Sequence, residues 1–362
     1  MKRRAFVTGL AAASVAGCGK TGEQPSAASS DTRSFNWKMV TTWPPGFPGL
    51  GTGASDLGAM IESASGGRIK VQVYGAGELV PAFEVFDAVS RGTAQIGHGA
   101  GYYWKGKAEA AQLFSATPFG MNAQERNAWM FYGDGENLWR EVYEPFNLYP
   151  VAAGNTGVQM GGWFNKEINS LEDLQSLKMR IPGLGGEVLK RAGGTPVNLP
   201  GGEIFTALQT GSIDATEWVG PYNDLAFGLH QAAKYYYYPG WHEPGTCLEL
   251  IFNKDALDEL PDDLRAIALM ACRTANENML AEFTARNQRA LMTLVNEHGV
   301  ELRKFPDDVL GRLKELSREV LQDIVDRDPV ARKVYASQRA FQEQVERWHD
   351  VSEFAYYQAR RL

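Results

Sequence analysis

Residues 155–223 pack Gln159, Arg180, Glu217 and Trp218 into a βαβ pattern, in which Arg180 could seat an anion and Glu217 calls for a cation or a donor. Each stands at the end of a short apolar run. Residues 178–182 (KMRIP) read as a strand, the following GLGG as a tight turn and EVLKRAG as a helix. Arg180 therefore sits just ahead of a helix start. A guanidinium offers two parallel N–H donors to a carboxylate, and the unpaired backbone N–H groups of a helix start favour the same negative charge. Downstream, GGEIFTALQTG reads as a second helix and SIDATEW as a strand ending on Glu217 and Trp218. Ligands gather at such carboxyl ends in parallel α/β units.

Each residue also has an ordinary explanation. An Arg after a strand is more commonly a surface ion-pair partner, and spacing alone does not separate the two. Glu217, between IDAT and WVGP, is more informative, because a lone carboxylate in an apolar setting is costly and calls for a cation or a donor. Gln159 lies between Val158 and Met160 in what reads as a buried strand, where backbone partners could satisfy its amide. Trp43, Tyr102 and Tyr103 fall at strand-to-loop junctions, from which an aromatic ring either reaches a crevice or pads the core.

The elements that must position these groups alternate. Residues 35–44 read as a first strand, GLGTGASDLGAMIESASGG as a helix with its stop, RIKVQVYGAG as a second strand, and PAFEVFDAVSRGTAQIGHGAG as helix then strand. Such alternation implies a largely parallel sheet with helices on its faces. Residues 246–253 (TCLELIFN) read as a strand returning to the first domain. Residues 261–299 keep a helical apolar spacing through Leu264, Ile267, Ala271, Ala275, Met279 and Phe283 with no internal Pro or Gly. A helix of ~39 residues would be ~58 Å long, too long for one domain, and so would bridge two. Helices at about 307–326 and 329–360 finish the chain. The last carries Phe341, Val345, Trp348, Val351, Phe354 and Tyr357 on one apolar stripe, which must either wrap its own domain or meet another chain.

These runs resemble the periplasmic solute-binding proteins of TRAP (tripartite ATP-independent periplasmic) transporters, the DctP family, and most closely the branch that binds 2-oxo acids. The residues that carry the likeness are NTGVQMGGWF, KMR with its Gly-rich turn, GGEIFTALQTGSIDATEWVGPY, YYYYPGWHE at 235–243, GAGELVPAFEVFDAV at 75–89 and GYYWKGK at 101–107. It covers roughly residues 36–345. The resemblance implies an α/β, periplasmic-binding-protein-like two-lobe fold with mixed, mostly parallel sheets, a long connecting helix and a long C-terminal helix. Lobe I would take 35–155 plus about 245–280, and lobe II about 156–244 plus about 281–327. Residues 328–362 would form a C-terminal helix that packs in a homodimer. The resemblance assigns Arg180 to the substrate carboxylate and favours Tyr102 and Tyr103 for the pocket wall, with Trp43 a candidate there from its strand-to-loop position. It assigns Gln159, Glu217, the Trp218 backbone oxygen and Glu243 to a cation touching the acid. Oxygen donors suit a hard ion, Na⁺ or Ca²⁺. Two acidic side chains and a monocarboxylate, less the Arg180 charge, leave two negative charges, which calcium would cancel and sodium would halve. The nearest branch of the family favours sodium, which is ranked first. The loop TTWPPGFPGLGTG departs from the relatives in its Pro and Gly content and would border the pocket, which leaves ligand size open.

The implied function is capture of a small 2-oxo or 2-hydroxy monocarboxylate, such as pyruvate or lactate, for delivery to a TRAP permease. A metal-dependent periplasmic enzyme acting on such acids and a sensory receptor are the alternatives. The five histidines, at 98, 230, 242, 298 and 349, sit in no metalloprotease or nucleotide-binding motif, and there is no G-x-S-x-G elbow or Walker loop. A net charge of −7 offers no general attraction for nucleic acid. At 362 residues the chain fits two domains. Residues 1–17 carry Lys2, Arg3 and Arg4 ahead of an Ala-rich apolar run, the pattern of an export signal. Arg3-Arg4-Ala5-Phe6 resembles a twin-arginine motif. Val15-Ala16-Gly17-Cys18 resembles a lipobox, with a plain signal cut a few residues later as the alternative. A lipidated Cys18 would anchor the chain in the membrane by acyl chains alone, through a flexible tether at 18–34. Cleavage would take the net charge from −7 to −10. Cys247 and Cys272 read as two buried thiols, though their spacing does not exclude a bridge.

Overall fold

The computed structural model describes residues 33–362; the expected export signal, Cys18 and all but the last two residues of the expected tether lie outside them. Five strands form the first sheet: β1 (Phe35–Thr41), β2 (Ile69–Tyr74), β3 (Ile96–Gly99), β4 (Leu148–Asn155) and, far downstream, the strand Cys247–Asn253. The second sheet takes β5 (Gly162–Phe164), β6 (Lys178–Arg180), β7 (Thr195–Val197), β8 (Ala215–Thr216) and β9 (Tyr235–Tyr238), with Cys247–Asn253 numbered β10 and Glu301–Lys304 numbered β11, the last of these also in the second sheet. Their spatial orders are β2-β1-β3-β10-β4 and β11-β9-β5-β8-β6-β7. Strand β10 is buried along its whole length, and it runs antiparallel to both of its neighbours. In the second sheet β5 is the antiparallel member and the other pairs are parallel.

Two elements differ from the sequence reading in ways that matter for the site. The glycines of GLGG are no separate turn, because the helix already starts at Gly183 and runs to Arg191. They are small because the first helical turn is pressed against the side chains of other segments: a Cβ on Gly183, which has φ +59°, would lie 2.9 Å from Tyr102 Cβ, and one on Gly185 2.9 Å from His242 Cβ. Glycine permits both the left-handed φ and the approach. Gln159, read as part of a buried strand, lies in an irregular link between β4 and β5. Three separate segments lace that link instead of one ladder: Gln159 N–H donates to Glu243 O (3.1 Å), Met160 N–H to Val219 O (3.0 Å) and Gly161 N–H to Tyr237 O (2.8 Å).

The long helix spans Asp262–Asn296, 35 residues, or about 52 Å. It buries Leu264, Ala271, Ala275, Met279 and Phe283, with Ile267 half-buried, and packs against β4 of the first sheet and the helix Pro221–Phe227 that follows β8. Asp307–Arg327 forms the next helix. The final one is shorter than the sequence pattern suggests: it spans Pro329–Val351, breaks at Ser352 and resumes over Glu353–Ala359. The Ser352 hydroxyl donates to the Trp348 carbonyl (2.7 Å), a local bond of the kind that bends helices. Asp328 caps its start by accepting from Val330 and Ala331 N–H. Both Cys247 and Cys272 are buried free thiols.

Behind the short helical turn Gly101–Trp104, which carries Tyr102 and Tyr103, sits a buried polar group of β10. Trp104 Nε1–H donates to Tyr143 Oη (2.9 Å), and Tyr143 Oη–H reaches both carboxyl oxygens of Glu249 (3.0 and 2.8 Å). Burial pushes the Glu249 carboxyl up to about 8, against the opposing effect of its hydrogen bonds. The folded chain thus keeps Glu249 protonated where the unfolded chain, near 4.5, ionises it. Its folded value is the raised one, so its contribution is most favourable below about 4.5 and declines as pH rises to about 8. In denaturant titrations across that window, Glu249→Gln should flatten part of the decline in stability, by up to about 1.4 kcal/mol per pH unit. An unchanged slope would mean that Glu249 ionises in the fold.

Candidate functional site

The register of the second sheet brings the central pair together. Parallel strands β6 and β8 set Arg180 opposite Thr216, and Glu217 N–H donates to Arg180 O (3.2 Å), so the next side chain lies against the guanidinium. Arg180 Nη1 is ion-paired with Glu217 Oε1, both side chains being 1% exposed. The guanidinium has further partners: Nε donates to Leu199 O (3.2 Å), Nη2 to Tyr103 Oη (3.3 Å), and the Trp218 ring lies 5.1 Å away over its cationic face. Burial works to lower the Arg180 value, but the Glu217 carboxylate and Tyr103 outweigh it and the net direction is up. This charge is permanent.

Two more acceptors crowd the same place. Glu243 is buried, and its Oε2 accepts from Gln159 Nε2 (2.8 Å) and from Thr246 Oγ1. Burial first and the Glu217 charge second push its carboxyl up to about 7. His242 Nε2 lies 3.4 Å from Glu217 Oε2. Ligand atoms of Glu217, His242 and Glu243 all fall within 4.8 Å of one another. Gln159 spends its amide N–H groups on Glu243, Thr156 Oγ1 (3.1 Å) and Thr246 Oγ1 (3.1 Å), which leaves its Oε1 buried with no hydrogen-bond partner among the described residues. A buried acceptor without a donor beside two carboxylates is a good place for a hard cation. Gln159 Oε1, Glu217 and Glu243 thus fit such an ion, and Trp218 follows Glu217 directly.

Aromatic rings close the site. Trp43, Leu50, Tyr102, Tyr103, Gln159 and Trp218 line a narrow cavity of about 10 Å³, close to what one water needs. Trp43 stands edge-on to Trp218 (6.4 Å) and near Tyr103 (6.4 Å), and Phe47 of the Pro- and Gly-rich loop packs edge-on to Trp218 (6.2 Å). Tyr102 is edge-on to Tyr103 (4.8 Å); burial, with the Glu243 charge behind it, raises its hydroxyl well above the usual tyrosine range. Larger grooves, one between helices Asp307–Arg327 and Pro329–Val351 and one between Gly51–Ala64 and Asp262–Asn296, contain no buried ionisable group.

The candidate ligand and cation residues Trp43, Tyr102, Tyr103, Gln159, Arg180, Glu217, Trp218 and Glu243 thus fall at this one place, and Cys18 lies outside the described residues. Sequence reasoning missed His242, which it set aside, and Thr156 and Thr246, which hold the Gln159 amide. The HE pair at 242–243 was the available signal for the first; short polar residues such as the threonines carry none.

Comparison with known proteins adds a family. The family of bacterial extracellular solute-binding proteins, family 7 (DctP), matches residues 39–328. A monocarboxylate 2-oxoacid-binding periplasmic protein of Nostoc sp. is 40% identical over 360 residues, 98% of each chain. A TRAP periplasmic solute-binding protein of Pseudoalteromonas atlantica, crystallised with sodium and pyruvate, is 41% identical with a TM-score of 0.88, covering 90% of this chain and 99% of its own. Another, from Colwellia psychrerythraea with calcium and pyruvate, is 40% identical with the same TM-score, covering 90% and 100%.

Removing one half of a buried ion pair strands the other charge. Arg180→Met should cost ~3–5 kcal/mol in urea unfolding, and the double variant with Glu217→Gln should recover most of it. Equal losses in the single and double variants would show that Glu217 gains nothing from the guanidinium.

Proposed function

This chain belongs to the bacterial extracellular solute-binding proteins of family 7, and from that premise we propose that it captures a small 2-oxo or 2-hydroxy monocarboxylate for a TRAP transporter. The observation that carries the reading is the sealed cluster of Arg180, Glu217, Glu243 and the unpartnered Gln159 Oε1. The family is one of transport binding proteins, and its members work outside the cytoplasm. Pyruvate is the leading candidate, since two relatives at 40% identity or above were crystallised with it.

In this reading the Arg180 guanidinium meets the carboxylate of the acid, with Tyr103 and Tyr102 beside it and Trp43 and Trp218 as walls. Gln159, Glu217, Glu243 and the Trp218 backbone oxygen hold the ion, sodium first and calcium as the alternative. A bound cation supplies the positive charge that two carboxylates and an organic acid lack. Because the cavity is near the size of one water, a keto acid enters only when its walls part. Hinged motion of two lobes, 35–155 plus about 245–280 against about 156–244 plus about 281–327, would do this and would present the closed face to the permease. Lipidation at Cys18 would tether the protein to the membrane.

The C-terminal stripe supports a second copy as partner. Phe341 packs into the chain's own core, while Trp348 (62% exposed), Val351 (72%), Phe354 (58%) and Tyr357 (50%) face outward. An apolar strip of this size on a monomer calls for a cover. Light scattering should give a dimer for the wild type and a monomer for Trp348→Ser with Phe354→Ser; a monomeric wild type would remove the dimer.

Thermal unfolding tests the main reading. Pyruvate with sodium or calcium should raise Tm, with about 2.7 kcal/mol of stabilisation at a hundredfold excess over Kd, and Glu217→Gln should lose the cation dependence. No shift with any 2-oxo or 2-hydroxy monocarboxylate would sink it. Consumption of the acid in the same mixture would replace a carrier by an enzyme.

A further inference from the structure

The wall residue Trp43 is aimed by a group that faces no ligand. Its backbone is tied by neighbours, with Trp43 N–H on Thr41 Oγ1 (3.3 Å) and Trp43 O accepting from Ala76 N–H (2.8 Å). Those bonds leave the indole free to turn. The indole has one donor and no acceptor, and that donor goes to His98 Nδ1 at 2.7 Å.

His98 is on β3, wholly buried, and its two ring nitrogens are both committed. Nδ1 must be the unprotonated nitrogen, because an indole N–H can only donate to it. Nε2 therefore carries the hydrogen and donates to Ala153 O at 3.3 Å. That carbonyl is available because of an irregularity in the first sheet. Leu248 of β10 pairs with Gly154 and Glu249 with Ala152, so Ala153 has no partner across the ladder. A β-bulge of this kind leaves one residue outside the pairing. Burial also holds His98 down at about 4, with the Ala153 carbonyl pulling the other way, so the imidazole stays neutral in neutral solution. The chain of bonds runs from the β4 bulge through an imidazole of fixed tautomer to the ring that faces Tyr103 and Trp218.

Resting on the function proposed above, we infer that His98 is a positioning residue: by fixing the Trp43 indole, it sets how large a 2-oxo acid the pocket accepts. A turned indole would free space along the wall that Leu50 and Trp218 share. Nothing in the His98 side chain needs to touch the acid.

Two measurements test this on the full-length exported protein. The first needs no ligand. In a ¹⁵N-labelled sample the Trp43 indole N–H should be protected from solvent exchange; His98→Phe should lose that protection, and His98→Asn, which returns an acceptor near the Nδ1 position, should keep most of it. An indole equally protected in His98→Phe overturns the positioning role. The second measures affinity for pyruvate and for a bulkier branched 2-oxo acid in saturating sodium. His98→Phe should weaken pyruvate roughly tenfold, the equivalent of one lost hydrogen bond, and narrow its advantage over the bulkier acid. Trp43→Phe should narrow it similarly, and the double variant should add little further. A variant that stays folded with the wild-type ratio between the two acids overturns the specificity role, since a general loss of stability would weaken both alike. If the wild type binds neither acid, the functional reading and the specificity role fall together, and the indole measurement alone decides whether His98 positions Trp43. Should His98→Phe not fold, His98→Leu, which likewise offers the indole no acceptor, carries the exchange measurement and Trp43→Phe the affinity comparison.

Discussion

The ion pair between Arg180 and Glu217 is the constraint to which the rest of the site answers. Both side chains are sealed from water, where neither charge could stand alone. The short strands β6 and β8 serve to set these two residues side by side, and a register shift of one residue would turn one of them to the opposite face of the sheet. The guanidinium is held by Glu217, Leu199 O, Tyr103 and the Trp218 face, so its position is determined from four directions, while Nη2 spends only one of its two N–H groups, on Tyr103. Glu217 keeps a second oxygen toward His242, and Glu243 lies beside it. Acidic groups therefore outnumber the permanent cation in an enclosed place. Such an imbalance favours a cation, and the uncovered amide oxygen of Gln159 favours a hard one.

A second layer of ionisable groups, pushed toward their neutral forms by burial, braces the aromatic residues. His98 holds Trp43, Glu249 holds Tyr143 and through it Trp104, and Asp224 accepts from Trp163 Nε1 (3.0 Å) and Tyr236 Oη (2.6 Å). Burial moves each toward its neutral form: His98 down to about 4, Glu249 up to about 8 and Asp224 up to about 7. Interactions between charges are strong where water is excluded. Neutral braces can fix ring orientation with directional bonds and leave the electrostatics of the site to Arg180, Glu217 and Glu243. The same choice makes the packing of the first sheet sensitive to alkaline pH, because an ionised Glu249 has no cation to meet it.

The long helix Asp262–Asn296 ties this arrangement together. It runs from the first sheet, where it covers β4, to the helix that follows Glu217 and Trp218. Residues far apart in the chain are thereby held in one frame: Thr246 and Glu243 at the approach to β10 meet Gln159 at the exit from β4.

Much of this was legible in the amino-acid order. Alternating strands and helices, the unbroken apolar spacing of the long helix and an exposed stripe near the C-terminus follow from local periodicity, and Glu217 stands out because a charged residue in an apolar run needs a reason, whereas Arg180 and Glu243 were singled out by the family resemblance. What local pattern could not decide is where short polar segments go. The Gln159 link looked like a strand because its neighbours are apolar, yet Val158 is 59% exposed and the backbone bonds of the link go to three distant segments. The glycines of GLGG looked like a turn; their use is close contact with Tyr102 and His242, residues about eighty and sixty positions away in the chain. The parts His98 and Glu249 play depend on a bulge in another strand and on a hydroxyl brought up by the helix Gly135–Tyr143. Sequence by itself determined the elements and the charges they carry, because those depend on neighbours within a few residues. Tertiary structure decided which donor meets which acceptor, because hydrogen bonds and buried ion pairs act only over contact distance between segments that folding alone brings together.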